Sequence, residues 1–582
     1  MFPTDFSSLE RRRLLTICAV LFCALTLPYA WAWLLSPGDG VYSGLLYNPD
    51  DQNVHLSWAR QAHDGAFFLR DLFTTEGLQN GERPLFTNVL LWSIGIVARV
   101  TNLPLILVYH AFRVVFALLA IWWFAALCAH LSTDKRVRFA AVALAAFGGG
   151  AGFLAPLFPT RIFIDRADTK GLPMMPEAFT FASAFVFPLF ITSVALLVFV
   201  YLQTLRARRT GQLKFAFGAA IAAFLLTNIH TYDAIPLNVV MLLWALSSTR
   251  LRRKNTTNAQ ATNAQATNVQ ATNVQAAHAQ MLRVRTLAPL MVVLATIPML
   301  IYQRFVLGNS EEFRVKAFSP KPAPPIFDLF LSLSPLLILA IISAYFVFRQ
   351  IQNARETPET ARATSPDARM MILWAFVALA LVYTPTNLIS FARKMIEGVH
   401  LPLCFLAALG IVGLLDACKT PRLVNRVLVG GFVALMSFSS LTFVGWCLNN
   451  ARDNNASRAQ YLMPPLYLPQ EAHDAMQFLH DLPYSRDRAV LCSPLWGNFI
   501  PPQTGWAVYT GHFDETLHFT RKNGAAFAFF RRKMGAAQSL NWLRQNRIGW
   551  VLIGPNERAI GARELRFPVA WSGGQTTIYR VP

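Results

Sequence analysis

The sequence predicts an α-helical polytopic membrane protein of about eleven spans, N-terminus inside, that ends in an extracytoplasmic α/β domain. Three observations carry that reading. Hydrophobic residues make up 54% of the 582 residues and charged residues 14%, far from the balance of a soluble enzyme. Apolar runs of roughly 20 residues, the length a bilayer-crossing helix needs, recur as far as residue 447. Lys and Arg gather in alternate connections between those runs, which orients them.

In chain order the runs lie at 14–35, 105–131, 139–157, 181–203, 215–230, 234–249, 286–307, 326–348, 371–391, 401–417 and 427–447. The first follows Arg11, Arg12 and Arg13. It is longer than a signal-peptide core and reads as an anchor, with a cleavage site near Ala30 and Ala32 as the alternative. The connections with Lys135, Arg136 and Arg138, with Arg206, Arg208, Arg209 and Lys214, and with Arg250, Arg252, Arg253 and Lys254 all fall on the side of the N-terminus. So do those with Arg349 and Arg355 and with Lys419, Arg422 and Arg426. The positive-inside rule makes that side cytoplasmic, so the chain is expected in the cytoplasmic (inner) membrane with its active face and C-terminus outside. The formal charge of +21 is then a matter of orientation, and a nucleic-acid partner is not expected. The seven cysteines lie mostly within or near apolar runs and show neither a disulfide framework nor zinc-type spacing.

The organisation follows. Residues 1–447 form a transmembrane domain with a large first external loop, 36–104, and 448–582 form the extracytoplasmic α/β domain. Within the first loop, Leu85–Val100 is apolar but short and reads as an interfacial helix. The five-residue repeats of 255–280 lack bulky side chains and predict a disordered cytoplasmic linker, and 355–369 reads the same way. In the tail, β-type runs at 489–493, 507–509, 550–553 and 576–580 alternate with helical patterns such as Ala536–Arg547.

Ionisable and aromatic residues concentrate in the external segments. Asn48-Pro49-Asp50-Asp51 has the grammar of a helix start, Asn as N-cap, Pro next and acids in the first turn; on that reading the acids merely balance the helix dipole. Asp51 and His55 are four apart and share a helix face. A carboxylate just past the outer end of the first span can also take a proton from an acceptor hydroxyl while a phosphate-linked sugar is attacked, which is general-base catalysis with inversion. The pattern D-x-x-x-H-x-x-W-A-R-Q-A-x-x-G from Asp51 to Gly65 resembles the acidic first-loop motif of the polytopic GT-C glycosyltransferases. The likeness is greatest to bacterial enzymes of the aminoarabinose-transferase and protein O-mannosyltransferase type. His55 stands where their motif usually has an aromatic, and the tandem Asp50-Asp51 leaves either acid in register. The resemblance spans residues 1 to about 450 and implies a first-loop acid as base in a cavity at the outer membrane surface. It also implies a polyprenyl-phosphate-linked sugar as donor, with an external glycan, lipid or protein as acceptor.

Further candidates lie in the other outer loops. Glu177 follows Pro176 at the start of an apolar run, and the resemblance gives an acid near this loop a part in binding acceptor or metal; Asp165 and Asp168 lie just before it. His230 and Asp233 occupy a tight turn between two spans, where ionisable groups either cap helices or face a wet cavity. Arg393 and Lys394 break the charge rule for an outer turn and would suit a donor phosphate, with pairing to Glu397 as the alternative. Arg304 and Arg113 are further phosphate candidates that would otherwise snorkel to the interface. Trp496, His512 and Glu515 follow predicted strands, where loops of α/β domains gather ligands, or where aromatics pack the domain down. No nucleotide fingerprint is present, which disfavours a cytosolic nucleotide-sugar donor. The sequence names no definite cofactor; a divalent cation is possible among the outer carboxylates, although no all-protein metal cage is visible. Rival functions are a lipid-linked sugar flippase or transporter and a non-catalytic envelope-polysaccharide-binding protein. The scarcity of acids within the spans argues against a carrier.

Overall fold

A computed structural model describes residues 6–79, 83–157, 176–247, 269–353, 365–453, 465–483 and 488–582. Asp165, Asp168, the linker residues 255–268 and the stretch 355–364 lie outside the described residues; from Val269 the expected linker is already helix. Among the described residues seven helices are long and apolar enough to cross a membrane: Ser8–Leu34, Leu105–Leu131, Pro188–Thr210, Gln280–Asn309, Ile326–Tyr345, Ala392–Ala417 and Arg422–Arg452. They carry outward-facing side chains such as Ile301, Ile341 and Leu441, each more than 60% exposed, which lipid tolerates and water does not.

The remaining expected spans appear as shorter apolar helices. The run 139–157 becomes Lys135–Phe147, because the chain turns at Gly148 and its backbone then bonds sideways, Gly149 N–H to Met436 O and Ala151 N–H to Ser332 O, both at 2.9 Å. The run 371–391 becomes Arg369–Val382; Pro385 forbids helix at the residue before it. The run 181–203 is cut in two at Pro188, giving Thr180–Val186 and Pro188–Thr210.

The chain forms two compact units. One comprises Met1–Leu25, Arg113–Tyr302 and Pro320–Val444. Here the basic connections expected on one side do meet. Arg138 pairs with Glu10 at 2.7 Å, Arg136 bridges Asp134 and Asp416 at 2.7 Å each, and Arg209 reaches Asp367 at 2.8 Å. Asp367 sits in the short turn that Ser365 caps, in the part of 355–369 that is described.

Arg113 corrects an expectation. It is 1% exposed, and its guanidinium donates to Ala184 O at 2.7 Å, Phe185 O at 2.9 Å and Leu25 O at 2.9 Å, so it neither snorkels nor stands ready for a phosphate. Pro188 has no N–H, which strips Ala184 O of the donor that a continuous helix would supply. Arg113 replaces it. Each buried carbonyl left without a donor costs about 1–3 kcal/mol.

The other unit comprises Thr26–Phe112, Gln303–Ser319 and Gly445–Pro582. Its main sheet runs β4 (Ala507–Val508), β3 (Ala489–Leu491), β5 (Ile548–Ile553), β7 (Thr576–Arg580), β6 (Val569–Gly573). The first three strands are parallel; β7 is antiparallel to β5, and β6 closes a hairpin onto it. Leu491, Phe529, Phe530, Leu543, Val551 and Tyr579 fill one face. A second, two-stranded sheet pairs β1 (Gly40–Tyr42) of the first loop with β2 (Tyr467–Pro469) of the tail. The short apolar helix of the first loop, Val89–Thr101, is capped by Asn88 Oδ1 on Leu91 N–H at 3.2 Å. Its 13 residues reach about 20 Å, short of a hydrocarbon core of about 30 Å. It packs on the helix Pro49–His63 at Gly95, where a Cβ would stand 2.2 Å from Ala59 O.

Replacing Arg113 by Met is expected to lower stability by on the order of 3 kcal/mol, since the freed carbonyls keep their desolvation cost. A melting temperature in detergent that equals the wild-type value would contradict the role given to Arg113.

Candidate functional site

The helix Pro49–His63 starts where the sequence places it, but Asn48 does not cap it. Asn48 adopts the left-handed conformation (φ 46°), makes no side-chain cap bond and donates through Nδ2 to Asp51 Oδ2 at 2.6 Å. The cap residue has become a ligand of the acid. On its other oxygen, Oδ1, Asp51 meets Nε2 of His512 at 3.2 Å, across 461 residues of sequence. His512 Nδ1 accepts the backbone N–H of Asp514 at 3.2 Å, so the imidazole proton sits on Nε2 and is donated to Asp51.

Why His512 stands there follows from the tail sheet. It lies four residues past β4, among the loops beyond the carboxyl ends of the parallel strands, where α/β sheets place ligands. The loop presses against the helix Pro494–Thr504, and only glycine allows it: a Cβ on Gly497 would lie 2.0 Å from Thr510 O, and one on Gly511 2.5 Å from Gly497 O. The Thr516 hydroxyl accepts Gly511 N–H at 3.0 Å and donates to Phe73 O at 2.8 Å, tying the loop to the segment between the first two long helices. Asn53 Nδ2 donates to Asn498 Oδ1 at 2.7 Å, both buried, and registers the acid-bearing helix against the same element.

The two adjacent acids are driven apart. Burial works to raise the Asp51 carboxyl, but the His512 hydrogen bond, the attraction of His512, the Asn48 bond and His55 together hold it below the usual carboxylate range. Its side chain stays 53% exposed. Asp50 goes the other way: burial pushes it up to about 6, His512 opposing and Asp51 adding. Asp50 Oδ1 is buried with no hydrogen-bond partner among the described residues. One acid is thus held anionic while the other is poised near neutral pH, the separation that acid–base sites use. His55 stacks on Trp58, and its Nδ1 is 3.5 Å from the Tyr109 hydroxyl.

Two more residues, Asp71 and Lys316, belong to this site and were not anticipated. Asp71, 8% exposed, is pushed up to about 7 by burial; the Phe73 N–H and Lys316 oppose this, and Glu312 adds to it. Lys316 pairs with Glu515 and lies 5.3 Å from the centre of the Trp58 ring. These residues come from separate segments and carry no local motif, so only the tail glycines and the density of polar residues hinted at them. Two recognition candidates are corrected. Trp496 is 4% exposed and packs near Phe499, out of reach of a sugar face, and Glu515, 5% exposed, is spent on Lys316. The exposed Arg304 belongs to the same unit as Asp51, on the helix Val269–Asn309.

The other unit gathers a second set. His230 and Asp233 meet as the tight turn suggests, Nδ1 to Oδ2 at 3.1 Å, and Glu397 Oε2 lies 3.1 Å from the same nitrogen. The Ser193 hydroxyl bonds Asp233. Glu177 is buried in the turn Pro176–Ala178, in charge range of Glu397. Arg393 keeps a buried Nε with no partner among the described residues, and the Lys394 ammonium lies 5.0 Å from the centre of the Tyr232 ring.

An acid whose folded pKa exceeds its unfolded one binds extra protons when folded, so the stability it contributes falls as pH rises. Between about pH 4 and 7, Asp71 and Asp50 are expected to lower the melting temperature as pH increases. Asp71→Asn, which keeps an acceptor for Phe73 N–H, should flatten that slope and melt higher than wild type at pH above about 7. Parallel melting curves across the range would contradict the buried charge of Asp71.

No family model matches the chain, and no curated protein matches it in sequence. Its fold, however, has solved counterparts. The apo oligosaccharyltransferase of Archaeoglobus fulgidus superposes with a TM-score of 0.52 at 11% identity, covering 94% of this chain and 69% of that one. The oligosaccharyltransferase AglB of the same organism, solved with an inhibitory peptide and a dolichol-phosphate, gives 0.50 at 11% identity over 94% and 70%. ArnT of Cupriavidus metallidurans bound to undecaprenyl phosphate gives 0.48 at 14% identity over 96% and 97%. These structural neighbours are GT-C glycosyltransferases, and this multi-pass chain shares the fold of AglB.

Proposed function

We propose that the chain is a glycosyltransferase of the cytoplasmic membrane. It moves a sugar, hexose or pentose, from a polyprenyl-phosphate donor to an extracytoplasmic glycan, lipid or protein acceptor, with inversion. The observation that carries this reading is the pair Asp50 and Asp51, one acid held anionic by His512 and its neighbour pushed up to about 6, on a fold shared with an archaeal oligosaccharyltransferase. A base is most useful when its pKa lies near the working pH. Asp50 fits that better than Asp51, the residue the motif alone favours. In this reading Asp50 takes the proton of the acceptor hydroxyl, the acceptor oxygen bonds to the anomeric carbon, and the bond from that carbon to the phosphate oxygen breaks. The leaving phosphate keeps the electron pair.

Asp51, anchored by His512 and Asn48, fixes the start of the helix and supplies a standing negative charge beside the developing positive charge of the sugar ring. The unpartnered Nε of Arg393 supports a role for Arg393, with Lys394, at the donor phosphate, where a guanidinium fork and an ammonium stabilise the leaving group. A polyprenyl-phosphate donor also agrees with the dolichol-phosphate found in the archaeal neighbour. In this reading His55, on the same helix as Asp50, helps to position the acceptor.

The test uses membranes containing the full chain, supplied with a panel of polyprenyl-phosphate hexoses and pentoses. Asp50→Asn is expected to lose transfer by roughly 100-fold or more at unchanged expression. In the wild type, kcat/KM should fall as the pH drops through about 6, because the base becomes protonated there. Arg393→Ala with Lys394→Ala should weaken donor binding while leaving the fold intact. Wild-type transfer by Asp50→Asn across the pH range would overturn the assignment of the base.

A further inference from the structure

Basic residues between membrane helices orient the chain, but those of the tail have no such duty, because long translocated domains fall outside the charge rule. Within the tail, the segments 531–533 and 558–566 carry six cations, Arg531, Arg532, Lys533, Arg558, Arg563 and Arg566, against one exposed acid, Glu564. All six are exposed except Arg558, which is half-buried. None forms an ion pair among the described residues. The two segments meet in space. Arg531 closes the helix Phe519–Phe530 and donates through Nε to Ile560 O at 3.1 Å, and an Nη of Arg532 donates to Glu564 O. Arg558 Nε donates to Gln575 O at 3.3 Å. A guanidinium has five N–H donors, so one bond to a carbonyl steadies each of these three and leaves the other donors for a ligand.

Like charges gathered in one place repel, and the first explanation for them is the helix dipole, which favours cations at a carboxyl end. It does not account for Arg532. Arg532 N–H bonds Phe529 O at 3.0 Å and Lys533 N–H bonds Ala528 O at 2.9 Å, the pair of bonds that makes a Schellman ending, whose left-handed residue is usually glycine. Arg532 holds that place at φ 54°, where a Cβ is strained. The chain thus keeps a charge where glycine would fold more easily. Nor does the dipole account for Arg563 and Arg566, which lie outside any helix, between Pro555–Ile560 and Val569–Gly573.

The chemistry of the patch selects its partner. Guanidinium forks match the paired oxygens of carboxylate and phosphate groups. A basic surface that lies on lipid also presents large apolar side chains for insertion, whereas from 488 to 582 only Phe513 and Val569 are large hydrophobics left exposed. That favours an anion in water over a membrane surface. Cations spread over two segments, rather than gathered around one pocket, suit a polymer that presents its charges repeatedly. We propose that this patch binds an acidic polysaccharide, a chain of sugars bearing carboxylate or phosphate groups. The choice of a polysaccharide over a nucleic acid rests on the extracytoplasmic placement proposed above; none of the six residues has a part in the transfer reaction described there.

Full-length protein in nonionic detergent is tested for binding to immobilised polygalacturonate, phosphorylated dextran, neutral dextran and duplex DNA, and to phosphatidylglycerol vesicles. It is expected to bind one or both acidic polysaccharides in preference to the other probes, more weakly as salt rises, and the two acidic arms tell carboxylate from phosphate. Arg531→Gln with Arg566→Gln should weaken that binding by roughly 10-fold or more. Arg532→Gly, which relieves the left-handed backbone, should also weaken it while melting no lower than wild type. Asp50→Asn should bind the polymer as wild type does, so a failed base assignment and a failed polymer site give different results. Equal binding of neutral dextran, wild-type affinity in both the double variant and Arg532→Gly, or tighter binding to DNA or to vesicles than to either acidic polysaccharide would each overturn the proposal.

Discussion

The candidate active site turns on one hydrogen bond, from the imidazole N–H of His512 to the carboxylate of Asp51. It fixes the charge of an acid at the start of a helix, and it brings a loop of the C-terminal sheet to the acid-bearing helix Pro49–His63. What surrounds it serves that contact. The reciprocal approach of Gly497 and Gly511 sets the height of the loop, the Thr516 hydroxyl ties it to Phe73, and the Asn53–Asn498 bond sets the register of the helix. Because Asp51 is committed to its donors, its neighbour Asp50 is left as the titrating group. Two carboxylates adjacent in sequence then carry different burdens, which is the physical content of the proposed mechanism.

The helical unit obeys a related constraint by other means. Inside an apolar medium a backbone carbonyl without a donor is costly, and Pro188 creates one. Arg113 meets that need with a single guanidinium, so a residue that looks like a phosphate ligand is in fact part of the scaffold. The cluster of His230, Asp233 and Glu397 is less complete: the Ser193 hydroxyl bonds Asp233, while Asp233 Oδ1 has no hydrogen-bond partner among the described residues.

The sequence conveyed the fold class because hydrophobic length and charge asymmetry act locally, run by run. The tail strands 489–491, 507–508, 548–553 and 576–580 were legible for the same reason. Helix ends were less so: the run 139–157 stops at Phe147 because of hydrogen bonds to distant segments, which no window of residues reports. The strand pair Gly40–Tyr42 with Tyr467–Pro469 was likewise hidden, each strand being three residues long. At the site, Asp50, Asp51 and His55 could be singled out from spacing and position, and His230 with Asp233 from the tightness of their turn. That His512 would reach Asp51, that Trp496 would be buried, and that Asp71 and Lys316 would join were beyond it, since each depends on long-range packing.

The most direct measurement is a double-mutant cycle on sugar transfer, combining Asp51→Asn with His512→Ala in the full chain. If the imidazole acts through this carboxylate, the double variant should be no slower than the slower single variant, because the second change removes a contact already lost. Losses that simply multiply would show two independent residues, and the central contact would then have no part in catalysis.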